Sequence, residues 1–351
     1  MTTQSGIIVE APHELFKVSS GIARPTPSGR EVLVKTLTVG LNPVEPFQQH
    51  TGVLVDEWPA VLGSDFAGVV VDVGPDCSKL RPGDYVHGCA SIGRNKYTPF
   101  QETFLADETT VLRKVSGLNA ASAATVGSGL LTAALCLLAG TGLKLPKAGS
   151  KSPEKDEWIV VLGGSGTVGQ FAVQIAHQCG YKVLASSSLS KTYLPAKNGA
   201  TATFNNRAPI DEQVAAIKER TGGGKFARIF DTTAQGYELM LQALEGASTL
   251  DTKKYLASVD DWSDFNTPAA FHEYRAELGQ LGRLQSPLGV EVTTAIASWI
   301  PDFEAHLEAG SLVPLEYDLA PGAGWEQVIA SLGDLESGKS AKKIVVKIRD
   351  Q

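Results

Sequence analysis

The sequence predicts an α/β protein of two domains, one a small β barrel and the other a doubly wound parallel sheet. Its 351 residues exceed what one hydrophobic core usually supports, which favours two domains. Roughly the first 120 residues contain short β segments separated by glycine and proline turns, as in a small all-β barrel. From Trp158 onward, strands alternate with helices, which is typical of a parallel sheet with helices on both faces.

The strands of the barrel are predicted from apolar, often β-branched runs that lie next to turn residues. Residues 32–37 alternate apolar with polar or charged side chains, and residues 68–74 are a valine-rich run between two glycines. Residues 81–86 form a proline–glycine turn followed by a strand, and residues 340–348 form a closing strand near the end of the chain. Both ends of the chain therefore have the character of the barrel domain.

The second domain is predicted to begin after an alanine-rich helical stretch and a polar surface loop at 144–156. Strands are expected at 158–162, 181–185 and 226–231. Helices are expected after residue 170 and again at 211–221. This order of elements predicts a nucleotide-binding type of sheet.

Composition excludes several classes of function. The net charge of −7 argues against general binding to nucleic acids or anionic membranes. The most apolar stretch, 120–142, is interrupted by serine, threonine and glycine, and it is expected to be a buried helix with its flanks. The four cysteines form no CxxC pair, so we expect reduced, mostly buried thiols. No leader segment is recognisable at the N-terminus, and a cytoplasmic location is expected.

A glycine-rich loop is the most specific motif in the chain. Gly164, Gly166 and Gly169 form a GxGxxG pattern between a predicted strand and a predicted helix. The first glycine permits a tight turn, the second lets a pyrophosphate approach the backbone, and the third allows helix and strand to pack closely. The helix N-terminus offers free N–H groups to phosphate oxygens. The loop therefore predicts a dinucleotide site.

The residues that follow the second predicted strand favour NADPH over NADH. An NAD site usually has an acidic residue about 20 residues beyond the loop, where it binds the ribose 2′-hydroxyl. Here no Asp or Glu occurs between Glu157 and Asp211, and the strand end carries Ser188 and Lys191, which suit a 2′-phosphate. The alternative is that Ser188 and Lys191 only begin the next helix.

Several segments resemble the medium-chain dehydrogenase/reductase superfamily. Residues 61–68 resemble a signature after its second β segment, and residues 81–86 resemble its GDRV turn. Residues 127–133 and the glycine loop follow in the same order. The resemblance implies a GroES-like β-barrel catalytic domain at 1–125, a Rossmann doubly wound domain at 126–310, and a return to the catalytic domain at 311–351. It also implies an active site in the cleft between the two domains.

The departures from zinc-dependent alcohol dehydrogenases are informative. Those enzymes carry Gly-His-Glu where this chain has Gly63, Ser64 and Asp65, and their early cysteine ligand corresponds to the region 40–46, which has none. The four-cysteine lobe for structural zinc is also absent from the sequence. We therefore expect no metal. The Asn42-Pro43 pair resembles the quinone and enoyl reductase branch.

Within that branch the chain resembles fungal trans-acting enoyl reductases of polyketide pathways. The likeness rests on the polar insert at 144–156, the start of the glycine loop, and the segment 206–209. At Asn206 the family's aromatic residue is replaced. The resemblance implies NADPH as cofactor, a polyketide synthase carrier protein as partner, and residues 281–289 at the substrate mouth. It implies cofactor contacts from Val44, Glu45, Pro46, Phe47, Gly164, Ser165, Gly166, Thr167, Val168, Gly169, Ser188, Leu189, Ser190, Lys191, Asn206, Ala341 and Lys342. It implies a substrate channel lined by Val126, Gly127, Ser128, Gly129, Leu130, Leu131, Thr132 and Ala133.

The predicted reaction is NADPH-dependent reduction of an α,β-unsaturated thioester. A backbone N–H or hydroxyl near Ser128 or Thr132 is a candidate for stabilising the enolate oxygen, although Thr132 is equally suited to bond its own helix backbone. Glu45 is a candidate proton donor if burial raises its pKa; otherwise solvent supplies the proton. The alternatives are a free-standing NADPH quinone or enone reductase and a non-catalytic cofactor-binding protein. The sequence leaves monomer and homodimer open.

Overall fold

The computed structural model describes residues 2–150, 152–248, 253–340 and 342–349. Its strands are β1 (Thr3–Ile8), β2 (Lys17–Ala23), β3 (Glu31–Gly40), β4 (Asp65–Val73), β5 (Tyr85–Cys89), β6 (Thr103–Asp107), β7 (Leu112–Arg113), β8 (Trp158–Leu162), β9 (Lys182–Ser187), β10 (Ala202–Asn205), β11 (Phe226–Asp231), β12 (Lys254–Ser258), β13 (Phe271–Arg275), β14 (Tyr317–Ala323) and β15 (Lys343–Lys347). Its α-helices are α1 (Val44–Thr51), α2 (Ala120–Ala123), α3 (Ser128–Ala134), α4 (Thr167–Gln178), α5 (Tyr193–Lys197), α6 (Ile210–Arg220), α7 (Tyr237–Glu245), α8 (Pro287–Glu308) and α9 (Trp325–Glu336).

The first compact unit contains residues 1–128, 279–308 and 313–351. Its larger sheet has the strand order β14-β15-β3-β4-β5-β7, and β6 pairs with β3. The alternating valines of β3 and β4 enter the barrel core, where Val32, Val34, Phe66 and Phe104 pack together in the buried interior. The antiparallel register brings Gly40 opposite Asp65 on one side and Val345 on the other. The C-terminal strand and β4 therefore meet at Gly40.

The second compact unit contains residues 129–278 and 309–312. Its six strands are all parallel and follow the order β10-β9-β8-β11-β12-β13. The chain moves outward from β8 to β10 and then returns to β11 beside β8, so the strand order reverses between these two central strands. In open α/β sheets, ligands bind beyond the carboxyl ends of the strands at such a reversal. Val160, Leu184, Ile229 and Leu256 form the centre of its core.

The extent of the two units differs from the expected 126–310 and 311–351. Residues 279–308 lie in the first unit, where α8 buries Val292, Ile296, Ile300 and Phe303. The Arg113 N–H donates to Glu304 of this helix at 2.7 Å. The pattern of apolar residues in a helix shows that one face is buried, but it does not show against which of two cores that face packs. The order of elements along the chain favoured the second domain, whereas the helix lies in the first unit.

The apolar stretch at 120–140 is long and apolar enough to cross a membrane by length and composition, although 78% of that window is buried inside the protein. It consists of α2, α3 and a π-helical segment at 135–140. The sequence-based expectation of a buried helix with its flanks agrees with this burial. Although serine, threonine and glycine interrupt the stretch, its mean hydropathy remains as high as that of a membrane-spanning helix.

Candidate functional sites in the two units

The glycine loop lies where the parallel sheet reverses its strand order. It connects β8 to α4, and Gly163 has a φ of 79°, which only glycine adopts without strain. Gly166 is the N-cap of α4, and no side chain caps that helix end. A twelve-residue helix whose first N–H groups lack a side-chain acceptor suits an anion.

The three motif glycines have different surroundings. A Cβ on Gly164 would lie 2.7 Å from the Ala185 Cβ, and one on Gly169 would lie 2.2 Å from the Gly163 carbonyl oxygen. A Cβ on Gly166 would meet no protein atom closer than 3.4 Å. The first and third glycines are thus required by packing, whereas the space beside the second is open. This cradle fits a pyrophosphate, which would contact Ser165, Gly166, Thr167 and Val168.

The carboxyl end of β9 carries hydroxyl groups and no carboxylate. The Ser186 hydroxyl accepts from the Gly163 N–H at 2.8 Å, which fixes this strand end beside the glycine loop. Ser188 then begins a single 3₁₀ turn over Leu189–Lys191, in which Leu189 and Ser190 are exposed and Lys191 is half-buried. Ser188 to Lys191 thus form a basic turn with two hydroxyl groups directly after β9.

The end of the neighbouring strand adds a second cation that the sequence analysis did not assign. The Asn206 N–H donates to the Ser187 carbonyl at 3.1 Å, so the exposed residues Asn206 and Arg207 follow β10 next to the β9 turn. Parallel pairing of β9 with β10, with Ser187 opposite Asn205, produces this arrangement. Arg207 could have been identified from the sequence, because it lies in the segment 206–209 that resembles trans-acting enoyl reductases.

The first unit contains a buried polar cluster, formed by Asn42, Glu45, Ser64, Asp65, Ser128 and Lys343. The Lys343 Nζ lies 2.6 Å from the Asp65 Oδ2, and these side chains are 1% and 0% exposed. Gly40 makes room for the pair, because a Cβ there would lie 2.7 Å from the Lys343 Cε. The sequence pointed to Ser64 and Asp65 only as departures from a metal site, and it did not identify Lys343.

Glu45 lies in this cluster and is fully buried. Burial raises its pKa from 4.5 to about 7, against the opposing effects of hydrogen bonds from the Ser64 hydroxyl and the Asn42 N–H. Those bonds measure 2.5 Å to Oε1 and 2.6 Å to Oε2. Such a carboxyl titrates near neutral pH, which meets the condition set for it as a proton donor. In this position Glu45 fixes Asn42 and Ser64 by accepting a hydrogen bond from each of them.

The other residues predicted around Glu45 differ in exposure. Pro46 is buried, Val44 is half-buried, and the Phe47 side chain is 44% exposed. Lys342 is half-exposed and pairs with Glu316 at 3.2 Å. Ala341, the other residue expected to close over the cofactor, lies outside the described residues. Of the two C-terminal residues predicted, the structure thus describes only Lys342.

The predicted substrate segment is mostly part of the buried interior. Leu130, Leu131 and Ala133 are at most 1% exposed, and Val126 and Gly127 are also buried. Thr132 is 8% exposed. A Cβ on Gly129 would lie 2.5 Å from the Thr167 Cγ2, so the structure brings Gly129 against the first residue of α4.

Ser128 is the half-buried residue of that segment, and both of its donors are engaged. Its N–H donates to the Asp65 Oδ1 at 2.6 Å, and its hydroxyl donates to the Asp65 Oδ2 at 2.9 Å or the Asn42 Oδ1 at 3.3 Å. An oxyanion needs a free donor, so the expected role of Ser128 in stabilising an enolate does not fit this arrangement.

Part of the expected substrate mouth borders a cavity of about 220 Å³ within the first unit. Leu281, Gly282, Leu284 and Gln285 line it, opposite residues of β5 and β6. The Arg94 Nη1 donates to the Gly282 carbonyl at 2.6 Å and so holds this segment in place. The cavity is therefore built from both loop and barrel residues.

The described residues include no group of three or more His, Cys, Asp or Glu side chains placed to hold a metal ion. Near the polar cluster, burial raises the pKa of the Cys89 thiol well above its usual value. Burial also lowers the pKa of His87 to about 4. The cation beside Asp65 is the ammonium of Lys343.

Known dehydrogenases and reductases are similar to this chain in sequence. Residues 28–147 match the family of the alcohol dehydrogenase GroES-like domain. The dehydrogenase orsE of Emericella nidulans is 28% identical over 99% of both chains. The trans-enoyl reductase traG of Penicillium crustosum is 31% identical over 63% of this chain and 61% of its own length.

An alcohol dehydrogenase superfamily protein of Novosphingobium aromaticivorans has a similar solved structure, with a TM-score of 0.76. It is 21% identical, over 99% of this chain and 100% of that protein. The likeness extends over nearly the whole of both chains. The chain therefore shares the fold of that alcohol dehydrogenase superfamily protein, and its residues 28–147 match the alcohol dehydrogenase GroES-like domain.

Proposed function

We propose that this protein is an NADPH-dependent, zinc-independent enoyl reductase that acts on an α,β-unsaturated thioester. The observation that carries the proposal is the open space beside Gly166, next to a β9 end that bears hydroxyls and no carboxylate. The similarity to the trans-enoyl reductase traG supports the choice of an enoyl substrate. NADPH, when bound, supplies a hydride from its C4 to the β-carbon of the substrate.

The charges near the end of β9 favour NADPH over NADH. A 2′-phosphate needs cations and hydroxyl donors, and a carboxylate at the same place would repel it. Ser188, Ser190 and Lys191 form the turn after β9, and Arg207 follows the adjacent strand. These residues would hold the 2′-phosphate, and the helix N-terminus at Thr167 would hold the pyrophosphate.

The charges of the buried polar cluster disfavour a bound zinc ion. Asp65 accepts from the Lys343 ammonium, and the Asn42 Oδ1 accepts from the same ammonium at 2.7 Å. A second cation beside them would face repulsion from the buried Lys343 ammonium. The chain's own ammonium therefore takes the place that a metal would need.

In this proposal the proton for the α-carbon comes from solvent and not from Glu45. Glu45 titrates near neutral pH, but its carboxyl is fully buried and bonded to Ser64 and Asn42. We therefore assign it to holding the cluster, and solvent to the proton. The protein itself contributes the orientation of cofactor and substrate.

The biological setting is also part of the proposal. By its likeness to trans-acting enoyl reductases, the protein would receive a carrier-bound chain from a polyketide synthase. All four cysteines are free, and Cys89, Cys136 and Cys179 are buried, which suits a reducing compartment such as the cytoplasm.

The test follows oxidation of NADPH, and separately of NADH, by the purified protein with a 2-alkenoyl pantetheine thioester, an ortho-quinone or a simple enone. A primary alcohol with oxidised cofactor completes the panel, and each reaction is run with and without a chelator. We expect turnover of the thioester that prefers NADPH and is unaffected by the chelator. Turnover of the quinone or enone alone would indicate a free-standing reductase. Chelator-sensitive oxidation of the alcohol would overturn the zinc-independent proposal, and binding without any turnover would indicate a non-catalytic role.

A further inference from the structure

We propose that Ser128 binds its ligand as a hydrogen-bond acceptor, and that Asp65 sets this polarity by engaging both of its donors. This inference rests on the proposed function and assigns one of its binding groups. The ligand group it selects bears an N–H or O–H.

The ionised state of Asp65 follows from its neighbours. Its two oxygens accept from the Lys343 ammonium at 2.6 Å, the Asn42 Nδ2 at 3.0 Å, and the Ser128 N–H and hydroxyl. The Lys343 ammonium and the two N–H groups can only donate, so each of them uses an Asp65 oxygen as its acceptor. Asp65 is therefore a carboxylate that only accepts.

The orientation of Asn42 follows from the same neighbours. Its Oδ1 faces the Lys343 ammonium at 2.7 Å, and its Nδ2 faces the Asp65 carboxylate and the Ser64 hydroxyl at 2.8 Å. An amide turned the other way would place N–H against ammonium and oxygen against carboxylate. The Asn42 oxygen therefore also faces Ser128 as an acceptor, at 3.3 Å.

Ser128 is left with two acceptors for its single hydroxyl proton and with no unused N–H. The hydrogen must point to Asp65 or to Asn42, so the lone pairs of the oxygen remain for a ligand. Gly127 lets the backbone before Ser128 lie this close to Asp65, because a Cβ on Gly127 would be 2.4 Å from the Asp65 Oδ1. Of the six residues in the cluster, Ser128 is the half-buried one and the other five are buried.

Two donors of this chemistry belong to the proposed reaction. One is the carboxamide N–H of the nicotinamide, and the other is an amide N–H or hydroxyl of a pantetheine arm. Both would bind an acceptor, whereas an enolate oxygen would need a donor and would find none on Ser128. The experiment distinguishes these two sources.

The first arm measures equilibrium binding, without turnover, of NADPH and of its reduced 3-acetylpyridine analogue, which lacks the amide N–H. The second arm compares kcat/KM for a 2-alkenoyl pantetheine thioester with that for a thioester of a simple alkyl thiol. Both arms use the wild type, Ser128→Ala and Ser128→Thr. The control is Ser298→Ala, which removes a hydroxyl from the exposed face of α8.

We expect Ser128→Ala to reduce one of two wild-type preferences by about three- to tenfold, the effect of losing one neutral hydrogen bond. The preference is for NADPH over its acetylpyridine analogue in the first arm, and for the pantetheine thioester over the simple thioester in the second. Ser128→Thr should restore that preference, and Ser298→Ala should leave it unchanged. If Ser128→Ala is poorly folded, Ser128→Cys keeps the side-chain size with a weaker acceptor and should shift the preference in the same direction.

One outcome would contradict this inference alone, and another would contradict the proposed function as well. If the wild type binds NADPH and reduces the thioester, but Ser128→Ala leaves both preferences within twofold, this inference alone is wrong. If the wild type binds neither reduced cofactor, the proposed function fails and the inference falls with it.

Discussion

The Lys343 Nζ lies 2.6 Å from the Asp65 Oδ2, between side chains that are 1% and 0% exposed. Nearly 280 residues of sequence separate these two groups, and strand β3 brings them together by pairing with both β4 and β15. Taking both charges out of water costs free energy. Hydrogen bonds from the Asn42 amide and the Ser128 hydroxyl to the Asp65 carboxylate offset part of that cost. The ion pair is thus the fixed centre to which Glu45, Asn42 and Ser128 are attached.

Removing one partner of this pair should destabilise the protein strongly. Lys343→Met leaves the Asp65 carboxylate buried without its cation, and loss of one partner of a buried pair costs about 3–5 kcal/mol. Denaturant unfolding of the variant checks this. Lys339→Met is the matched control, because its pair with Asp334 is exposed and should contribute less than about 1 kcal/mol.

The double variant Asp65→Asn with Lys343→Met separates charge from packing. Because it removes both buried charges together, it should regain part of the stability lost in Lys343→Met. If the double variant were less stable by the sum of the two single losses, the two groups would act independently, and the ion pair would not be the centre of the cluster.

Glu45 should make stability depend on pH. Its pKa is raised by burial from 4.5 to about 7, so the folded protein keeps a proton that the unfolded chain has already released in this range. The stability associated with the protonated form is therefore present below the lower value and is lost as the pH rises to the upper value. The total change is about 3 kcal/mol at most.

The measurement is the free energy of unfolding from pH 4.5 to 7 for the wild type and Glu45→Gln. The variant lacks this titration, so its stability relative to the wild type should increase with pH. Glu291→Gln, at an exposed position of α8, should follow the wild-type curve. Parallel curves for Glu45→Gln and the wild type would mean that Glu45 releases its proton over the same pH range in the folded and unfolded protein, so that burial does not raise its pKa.

The motif glycines should separate folding from binding. Gly169→Ala places a Cβ 2.2 Å from a backbone oxygen and should lower the melting temperature, whereas Gly166→Ala meets nothing closer than 3.4 Å and should not. Gly166→Ala should instead weaken NADPH binding at least about tenfold, because the methyl group occupies the approach of the pyrophosphate. Thermal melts and fluorescence titrations give both quantities. Unchanged affinity in a folded Gly166→Ala variant would contradict the proposed cofactor position.

Cofactor preference should change with charge at the end of β9. Ser188→Asp adds a carboxylate at the first residue of the turn and should reverse the preference for NADPH. Lys191→Ala should weaken NADPH binding by about tenfold and leave NADH binding unchanged. Titration of both reduced cofactors checks this, with Lys218→Ala on α6 as a control. An equal loss for both cofactors would indicate a structural role for the turn.

Much of the second unit could be predicted because its signals are local. The strands at 158–162 and 226–231 agree with β8 and β11, since each is a short apolar run bounded by turn residues or a polar strand end. The glycine loop was recognisable for the same reason. The assignment of 279–308 was wrong because the pattern of α8 shows that one face is buried but not against which core.

The polar cluster could be predicted only in part. The sequence named Glu45 as a candidate proton donor if burial raises its pKa. Burial does raise that pKa, and the role as proton donor stays a prediction. Asp65 and Lys343 come together through strand pairing between distant segments, which leaves no periodic signal in the sequence. The donor status of Ser128 depends on the three-dimensional positions of Asp65 and Asn42, so the sequence alone suggested the opposite role.

The most direct test of the central claim follows the hydride itself. The protein is incubated with NADPH carrying deuterium at C4, in each of its two stereoisomers, and with a 2-alkenoyl pantetheine thioester, and the product is examined by mass spectrometry and NMR. The account predicts that one stereoisomer transfers its deuterium to the β-carbon, while the α-carbon takes a proton from water. A thioester recovered unreduced with both stereoisomers, under conditions where NADPH binds, would contradict it.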